Sequence, residues 1–463
     1  MNKKIYTIHK SASIREALVS IRLNKIGMVF VVDDDEKVIG VATDGDIRSS
    51  LIEQVSLSDS ISLAFNSDFV WKKTTDQRES ILKLLDSRIK AIPILDENKK
   101  LVDITTSNQF PLGLEEDIFA QSKAPVRLSF AGGGSDLTDY FMKEQGAVIN
   151  ATISLYCHAS LKLRSDKRII IDSMDLNKTI EYRNLKDLIT SKDSLGLFRS
   201  LIKLIQPEFG FELAVYSDFP LGSGLGGSSA VMIAVCGCFN EFRRDKWDQY
   251  ELAELAFQAE RLDMNVAGGW QDQYATVFGG FNFIEFRNDN NLIHPLRLSK
   301  KTLLDLEENL ILFKISSGRK SGLIHEDQKN SMKDKEIQDL VKKNVSQSYN
   351  MRDFLLRGKL DQFGQGLHTA WKFKRKLSKK ISNNYLDNIY DYATKNGALG
   401  GKLLGAGGGG FFIFYVPTFS KTFFLRAMAK KKLSQTIFSF DNNGMRSWSN
   451  RNIKNKVKSG SIN

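Results

Sequence analysis

The sequence predicts a mixed α/β protein of two to four domains, and three observations carry that prediction. Its 463 residues exceed the roughly 100–200 of a single domain. About residues 1–110 hold an internal repeat in which each copy reads helix, buried strand, acidic turn, second strand. Farther along, a long glycine-rich loop separates a strand-like segment from an apolar, helix-like one.

The repeat is the first element. Residues 27–40 realign without gaps on residues 90–103, 63 positions later. The same offset carries the helical pattern Ile14, Ala17, Leu18, Ile21 onto Gln77, Ser80, Ile81, Leu84. Residues 29–32 and 92–95 are short apolar runs bounded by turns, the pattern of buried strands. The first copy closes on Thr43-Asp44-Gly45-Asp46 and the second on Thr106-Ser107-Asn108-Gln109, where Gln109 stands in place of the acid. Residues 111–121 are acidic, lack a long period and read as a linker, and a second region runs from near Ser122 to about residue 450.

Composition excludes several function classes. Hydrophobic residues make up 42% of the chain, enough for a sizeable core, yet no apolar run approaches the ~20 residues of a membrane span. Residues 1–10 are polar and carry no signal-peptide core, so no membrane partner is expected. The odd set Cys157, Cys236 and Cys238 argues against a disulfide framework and for a reducing, cytoplasmic setting. Cys236-Gly237-Cys238 has no second pair or nearby His, so these read as buried thiols and not as zinc ligands. The five histidines show no metal-ligand spacing. The net charge of +12 suggests nucleic acid, but residues 421–463 alone hold ten Lys/Arg against one acidic residue. Lys430, Lys431 and Lys432 read as a solvated helix face and residues 451–463 as a disordered basic tail, so no nucleic-acid partner is expected.

The chemistry centres on Pro220-Leu221-Gly222-Ser223-Gly224-Leu225-Gly226-Gly227-Ser228-Ser229-Ala230. Glycines let backbone turn tightly and approach phosphate oxygens, and the following helix start offers free N–H groups and a positive dipole end. Ser228 and Ser229 add hydroxyls for phosphate or magnesium. The loop lacks the Gly-Lys-Ser/Thr of a P-loop and the acidic context of a dinucleotide fingerprint.

Two resemblances follow. With its hydrophobic-Thr43-x-x-Asp46 ending, the repeat resembles a CBS-domain pair over about residues 1–110. That resemblance implies an adenine nucleotide effector, with Thr43 on a phosphate and Asp46 on ribose hydroxyls, and a second site weakened by Gln109. A degenerate pair used only for packing or for homo-oligomer formation is the open alternative. The glycine loop resembles the ATP-phosphate loop of GHMP kinases, and two further motifs occur in the family's order. They are the segment 123–136, with Arg127, Gly132, Gly133, Gly134, Ser135 and Asp136, and the segment 402–411, with Lys402, Gly405, Gly407, Gly408 and Gly409. The resemblance covers about residues 122–450. It implies an α+β, two-lobed GHMP fold preceded by the α/β CBS pair, with a ribosomal S5-like lobe over 122–300 and a ferredoxin-like lobe over 301–450.

By the same resemblance ATP and Mg²⁺ are the cofactors. Pro220, Gly222, Ser223, Gly224, Leu225, Gly226, Gly227, Ser228 and Ser229 hold the ATP phosphates, and Ser228 and Glu260 ligate the metal. Asp272, 12 residues after Glu260, takes the substrate hydroxyl proton, and Asp136 with the loop Gly133, Gly134, Ser135 binds sugar hydroxyls. Gly405, Gly407, Gly408 and Gly409 form a supporting loop. Each of these residues has a plainer alternative: a helix cap for Asp136, a turn or cap for Asp272, a solvated helix face for Glu260, and an N-cap for Ser228.

Within the family, the segments 129–137, 146–154, 371–378 and 396–402 resemble the heptose 7-phosphate kinases. This implies a sugar phosphate substrate, D-glycero-D-manno-heptose 7-phosphate, phosphorylated at C1 on a route to nucleotide-activated heptose for surface polysaccharide. A dianionic phosphate needs fixed cations, and Arg127, Arg319, Lys374, Arg375 and Lys402 are the candidates. Another sugar kinase, a diphosphate decarboxylase of the superfamily and a non-catalytic nucleotide or sugar sensor remain as alternatives.

Overall fold

The computed structural model describes residues 5–73, 76, 78–85, 89–106, 116–316, 324, 327, 331, 334–433 and 435–453. Gln109, Arg319 and the basic residues beyond 453 lie outside these. Two compact units emerge, Met1–Asp117 with Asn452–Asn463, and Ile118–Arg451.

The repeat is visible as geometry in the first unit. Thr7–His9 runs parallel to Met28–Val32, which pairs antiparallel with Val38–Thr43. Lys72–Lys73, Ala91–Leu95 and Leu101–Thr106 repeat that arrangement. The register slips between Val31 and Val32 in one copy and between Ile94 and Leu95 in the other, at the same 63-residue offset. Asp33 sets the first turn by accepting from the N–H groups of Asp35 and Lys37, and Asp96 does the same with Asn98 and Lys100. Between Thr7–His9 and Met28–Val32, a Ser13–Glu16 capping box starts the helix Ile14–Asn24, which buries Ile14, Ala17 and Ile21.

In the second unit the chain forms a mixed sheet and a smaller antiparallel one. The larger follows the order Lys178–Tyr182, Ile169–Ser173, Gly210–Ser217, Gly146–Arg164, Phe281–Phe286, Asn291–Pro295, with Glu116–Ala131 also on Gly146–Arg164 and Arg446–Ile453 on Glu116–Ala131. The helix Gly227–Asn240 is apolar all round and has 12 buried residues, so it lies in the core and presents its N-terminus at the core's edge. Cys157, Cys236 and Cys238 are buried free thiols, and burial pushes the Cys157 thiol up to about 12. The smaller sheet has the order Gly400–Leu403, Gly410–Tyr415, Leu310–Ser316, Gln435–Thr436, every neighbour antiparallel. Numbered along the chain this is second, third, first, fourth, the split arrangement of the expected ferredoxin-like lobe.

Two boundaries differ from expectation. Residues 116–121, assigned to a linker, belong to the strand Glu116–Ala131; Ala120 is fully buried and Gln121 accepts from the Trp448 indole at 3.2 Å. Acidic residues at its start and Pro125 within it masked the strand; Pro125 sits at a register slip, where a missing N–H is tolerated. The end of the chain also departs from a simple second lobe. Phe440 bridges to Ile153, Asp441 accepts from Tyr156 at 2.8 Å, and Arg446–Ile453 is a strand of the larger sheet, so the ordered chain runs past residue 450.

Candidate active site

Two adjoining cavities in the second unit collect most of the predicted residues. The first is built from backbone. The strand Gly210–Ser217 ends, the glycine loop turns, and Gly226 caps the helix Gly227–Asn240 with φ 80° and no side-chain bond. The first N–H groups of that helix therefore have no internal partner, the arrangement that binds anions. Gly222, Gly224, Gly226, Gly227 and Ser228 line this cavity, with Pro220 and Ser223 beside them. The second glycine loop braces the first: a Cβ on Gly405 would lie 2.4 Å from the Gly224 Cα, and a Cβ on Gly224 would lie 2.8 Å from the Leu404 carbonyl oxygen. Neither position has room for a side chain.

Glu260 stands on the cavity's far side, in a π-helical turn, Gln258–Asp263, at the end of the helix Gln249–Phe257. Its carboxylate is buried and accepts from Ser228 Oγ at 2.5 Å, Ser229 Oγ at 3.1 Å and Gln273 Nε2 at 3.0 Å. The solvated-face alternative for Glu260 and the N-cap alternative for Ser228 therefore both fail.

The second cavity is lined by side chains from distant parts of the chain, among them Ser129, Asp136, Gln271, Asn344, Lys374 and Lys402. Asp136 does not cap the helix Thr138–Phe141; its oxygens accept from the Gly134 N–H and from Gln271 Nε2, both at 3.0 Å. Burial first, then the charge of Asp272, pushes its carboxyl upward. Lys402 gives its ammonium to the Ser129 carbonyl at 2.8 Å, and Lys374 donates to the carbonyls of Leu403 and Gly405. Burial depresses both lysines, with Arg127 adding repulsion; Lys402 falls to about 7 and Lys374 drops well below its ordinary value.

Asp272 lies where the cavities meet, on the helix Gln271–Phe278. Arg127 Nε and Nη2 approach its Oδ1 at 2.8 and 2.7 Å, while Arg127 Nη1 donates to the Gly224 carbonyl at 2.9 Å. Among the described residues no hydrogen bond reaches Oδ2, which faces Gly226. Arg127, expected at a substrate phosphate, instead clamps the Asp272 carboxylate. A carboxylate with one oxygen fixed and one free, between a helix start open to anions and a cavity lined by buried polar side chains, suits phosphoryl transfer to a hydroxyl.

Comparisons with known proteins agree with that geometry. The GHMP kinases N terminal domain model matches residues 196–280, the GHMP kinases C terminal model residues 351–434, and the CBS domain model residues 1–53. A D-glycero-alpha-D-manno-heptose 7-phosphate kinase of Campylobacter jejuni is 38% identical over 71% of this chain and 98% of its own length. This chain belongs to the GHMP kinases. Among solved structures, a D-glycero-D-manno-heptose 1-phosphate kinase from Bacteroides thetaiotaomicron is 29% identical with a TM-score of 0.59, covering 71% of this chain and 98% of its own. Lactococcus lactis galactokinase, 20% identical with a TM-score of 0.57 over 71% of this chain and 95% of its own, shares the fold.

In this kinase several predicted residues take supporting places. Ser135 is fully buried and ties the loop to Gly132 and Ala147. Leu225 is also buried, and its carbonyl accepts from the Arg127 N–H. Ser229 reaches Glu260 from inside the helix, so the hydroxyl facing the cleft is that of Ser228. Arg375 pairs with Asp387 at 2.9 Å and does not line the sugar-side cavity. Gly408 donates to the Ile381 carbonyl, so Gly407, Gly408 and Gly409 shape the loop from behind while Gly405 meets the cavities. Sequence reasoning missed Gln271, Asn344 and Arg261. Gln271 and Arg261 adjoin predicted residues, whereas Asn344, which donates to the Gly133 carbonyl at 3.1 Å, has no motif nearby.

The CBS unit has a cleft of its own, lined by Gly27, Phe30, Thr43, Lys90 and Pro93, which come from both copies. Thr43 faces it. Asp46 does not line it: its Oδ2 accepts from the Thr43 N–H and hydroxyl in a capping box that starts the helix Asp44–Ile52. The Thr-x-x-Asp pattern here serves the helix start as well as any ligand.

Proposed function

We propose that this kinase transfers the γ-phosphoryl group of ATP to the C1 hydroxyl of D-glycero-D-manno-heptose 7-phosphate, in the cytoplasm, on a route to nucleotide-activated heptose. One observation carries the substrate class: the acceptor-side cavity is lined by two buried lysines, Lys374 and Lys402, away from the junction where Arg127 holds Asp272. Burial disfavours the charged form of both lysines and a dianion beside them would favour it again, so the cavity suits a phosphorylated acceptor better than a neutral sugar. The 38% identical relative supports heptose as the sugar.

The donor set also fits Mg²⁺. Among the described residues no cluster of three or more His, Cys, Asp or Glu gathers, and magnesium does not need one, since it keeps waters and substrate phosphates and takes one or two protein oxygens. Ser228 and Glu260, hydrogen-bonded to each other on the nucleotide cleft, would hold it. When bound, it supplies charge neutralisation on the ATP phosphates. The protein's own residues do the rest: the glycine loop and helix start bind the nucleotide, Gln271 and the Gly134 N–H orient Asp136 toward the sugar, and Asp272 Oδ2 takes the hydroxyl proton.

ATP turnover with a panel of sugars tests this. Heptose 7-phosphate should give a kcat/KM far above free galactose or mannose, and above heptose 1-phosphate. Equal turnover of free hexoses would remove the phosphate assignment, and preference for heptose 1-phosphate would move the reacting hydroxyl. For the CBS cleft the reading is an adenine nucleotide effector, supported by Thr43 and Lys90 on one cavity, with homo-oligomer formation through the same unit. Calorimetry with AMP on the full chain and on Lys90→Glu should show binding lost in the variant with ATP turnover retained. No heat with the unaltered chain leaves a scaffold.

A further inference from the structure

We propose that Arg261 is the guanidinium that binds the phosphoryl group during transfer, an assignment that rests on the kinase reading above. Four residues line both cavities: Arg127, Arg261, Asp272 and Gly405. A group leaving the nucleotide for the sugar passes between the cavities, and so past these four. Two of them are cations, and they differ in what their donors are doing.

Arg127 commits Nε and Nη2 to Asp272 and Nη1 to Gly224. Lys374 and Lys402 line the sugar-side cavity and give their ammonium groups to backbone carbonyls. Arg261 is different. Its side chain is 9% exposed, yet Nε is buried and finds no hydrogen-bond partner among the described residues. Nη1 reaches the Ala267 carbonyl only at 3.4 Å, and Nη2 lies 3.4 Å from Glu260 Oε2. A guanidinium carries five N–H donors, and leaving one buried and unpaired is unfavourable, the more so when it is charged. The fold also makes room for this group. A Cβ on Gly268 would lie 2.5 Å from the Arg261 Cζ, and the π-helical turn places Glu260 and Arg261 side by side at the cleft. A buried, charged and under-bonded fork at the junction is a site for a planar, multiply accepting anion.

The acceptor's own phosphate is the competing occupant. On the heptose 7-phosphate reading, the reacting C1 hydroxyl sits at Asp272 and the 7-phosphate is at the other end of the sugar, away from the junction. In the transfer step the hydroxyl oxygen forms its bond to the γ-phosphorus. The bond from that phosphorus to the β–γ bridging oxygen breaks, ADP leaves with the electron pair, and the hydroxyl proton goes to Asp272 Oδ2. Arg261 donates to the equatorial oxygens of the phosphoryl group while this happens.

The test uses full-length Arg261→Ala, Arg261→Gln and Arg261→Lys. An arginine in this role is worth roughly 1,000-fold or more in kcat. Arg261→Ala should therefore lose about that, with KM for ATP and for sugar changed less than about fivefold, and Arg261→Lys should fall between. ADP with aluminium fluoride, magnesium and sugar should bind tightly to the unaltered chain and weakly to the variants, while ADP alone binds all of them equally. Added methylguanidine should restore part of the Ala variant's rate. A kcat within threefold of the unaltered chain overturns the proposal. So does a raised sugar KM at unchanged kcat, which would make Arg261 the clamp on the acceptor's phosphate, or a loss of ADP affinity in step with kcat. If the Ala variant fails to fold, the Lys and Gln variants carry the same readouts. If the unaltered enzyme rejects heptose 7-phosphate and takes another sugar, the heptose reading falls, and the Arg261 comparison is made on that sugar.

Discussion

The two cavities of the catalytic unit reach complementary ends by opposite means. The nucleotide side is mostly backbone: a glycine loop, the start of the helix Gly227–Asn240, and a second glycine loop pressed against the first at Gly224 and Gly405. The sugar side is mostly buried charge: Asp136, Lys374, Lys402 and Arg127, each held by a carbonyl, an N–H or another side chain. Backbone donors keep their charge distribution at any pH, so the glycine-loop part of the first wall is indifferent to protonation. The second wall is not, because burial has moved its carboxyl up and its lysines down. On the proposed reading, the nucleotide would meet mostly backbone and the acceptor mostly buried charge.

The largest expected effect lies where the walls meet. Asp272→Asn keeps the shape and removes the base, so kcat should fall about 100–10,000-fold with ATP KM changed only a few-fold. Single-turnover rates check this, and a loss under threefold would mean Asp272 only positions the sugar. A smaller effect should fall on the nucleotide side alone. Gly224→Ala forces a Cβ within 2.8 Å of the Leu404 carbonyl oxygen, at a residue with φ 75° that lines only the nucleotide cleft. ATP KM should rise roughly tenfold or more, about 1.4 kcal/mol, with sugar KM nearly unchanged. An equal rise in both would show that the two walls are mechanically one.

The smallest effect concerns pH. Lys402 sits at about 7 in the folded chain against an ordinary 10.5. Between those values the unfolded chain binds more protons than the folded one, so this group makes stability climb as pH rises through the window. Lys402→Met should flatten the rise of Tm between pH 7 and 10, and Tm measured at unit steps of pH reads it directly. An unchanged slope would mean that Lys402 stays charged in the folded chain, and the contrast between the walls would weaken.

The glycine loop was legible because phosphate binding demands short-range patterns: glycines where backbone must approach, then hydroxyls at a helix start. Glu260, Asp272, Asp136 and Lys402 were reached through the resemblance to GHMP kinases, by their positions relative to its motifs. Arg127 was found and given another task, since nothing local to it reveals that Asp272, 145 positions later, takes its fork. Arg261 resembles any surface Arg beside a Glu until Gly268 and Gln271–Phe278 close around it, and Asn344 carries no local signal at all. The strand Glu116–Ala131 was hidden for the reverse reason: its own residues read as acidic and proline-broken, and only pairing with Gly146–Arg164 makes it a strand.

By itself, then, the sequence determined the CBS repeat, the two-lobed kinase and the donor side of the site, because periodicity, turns and backbone-approach motifs act over a few residues. Tertiary structure alone decided which cations are tied to carbonyls, which one holds Asp272, and which is left with unpaired donors at the junction. Those outcomes depend on burial and on partners far away in the chain, and a charged side chain's role is set by what it touches.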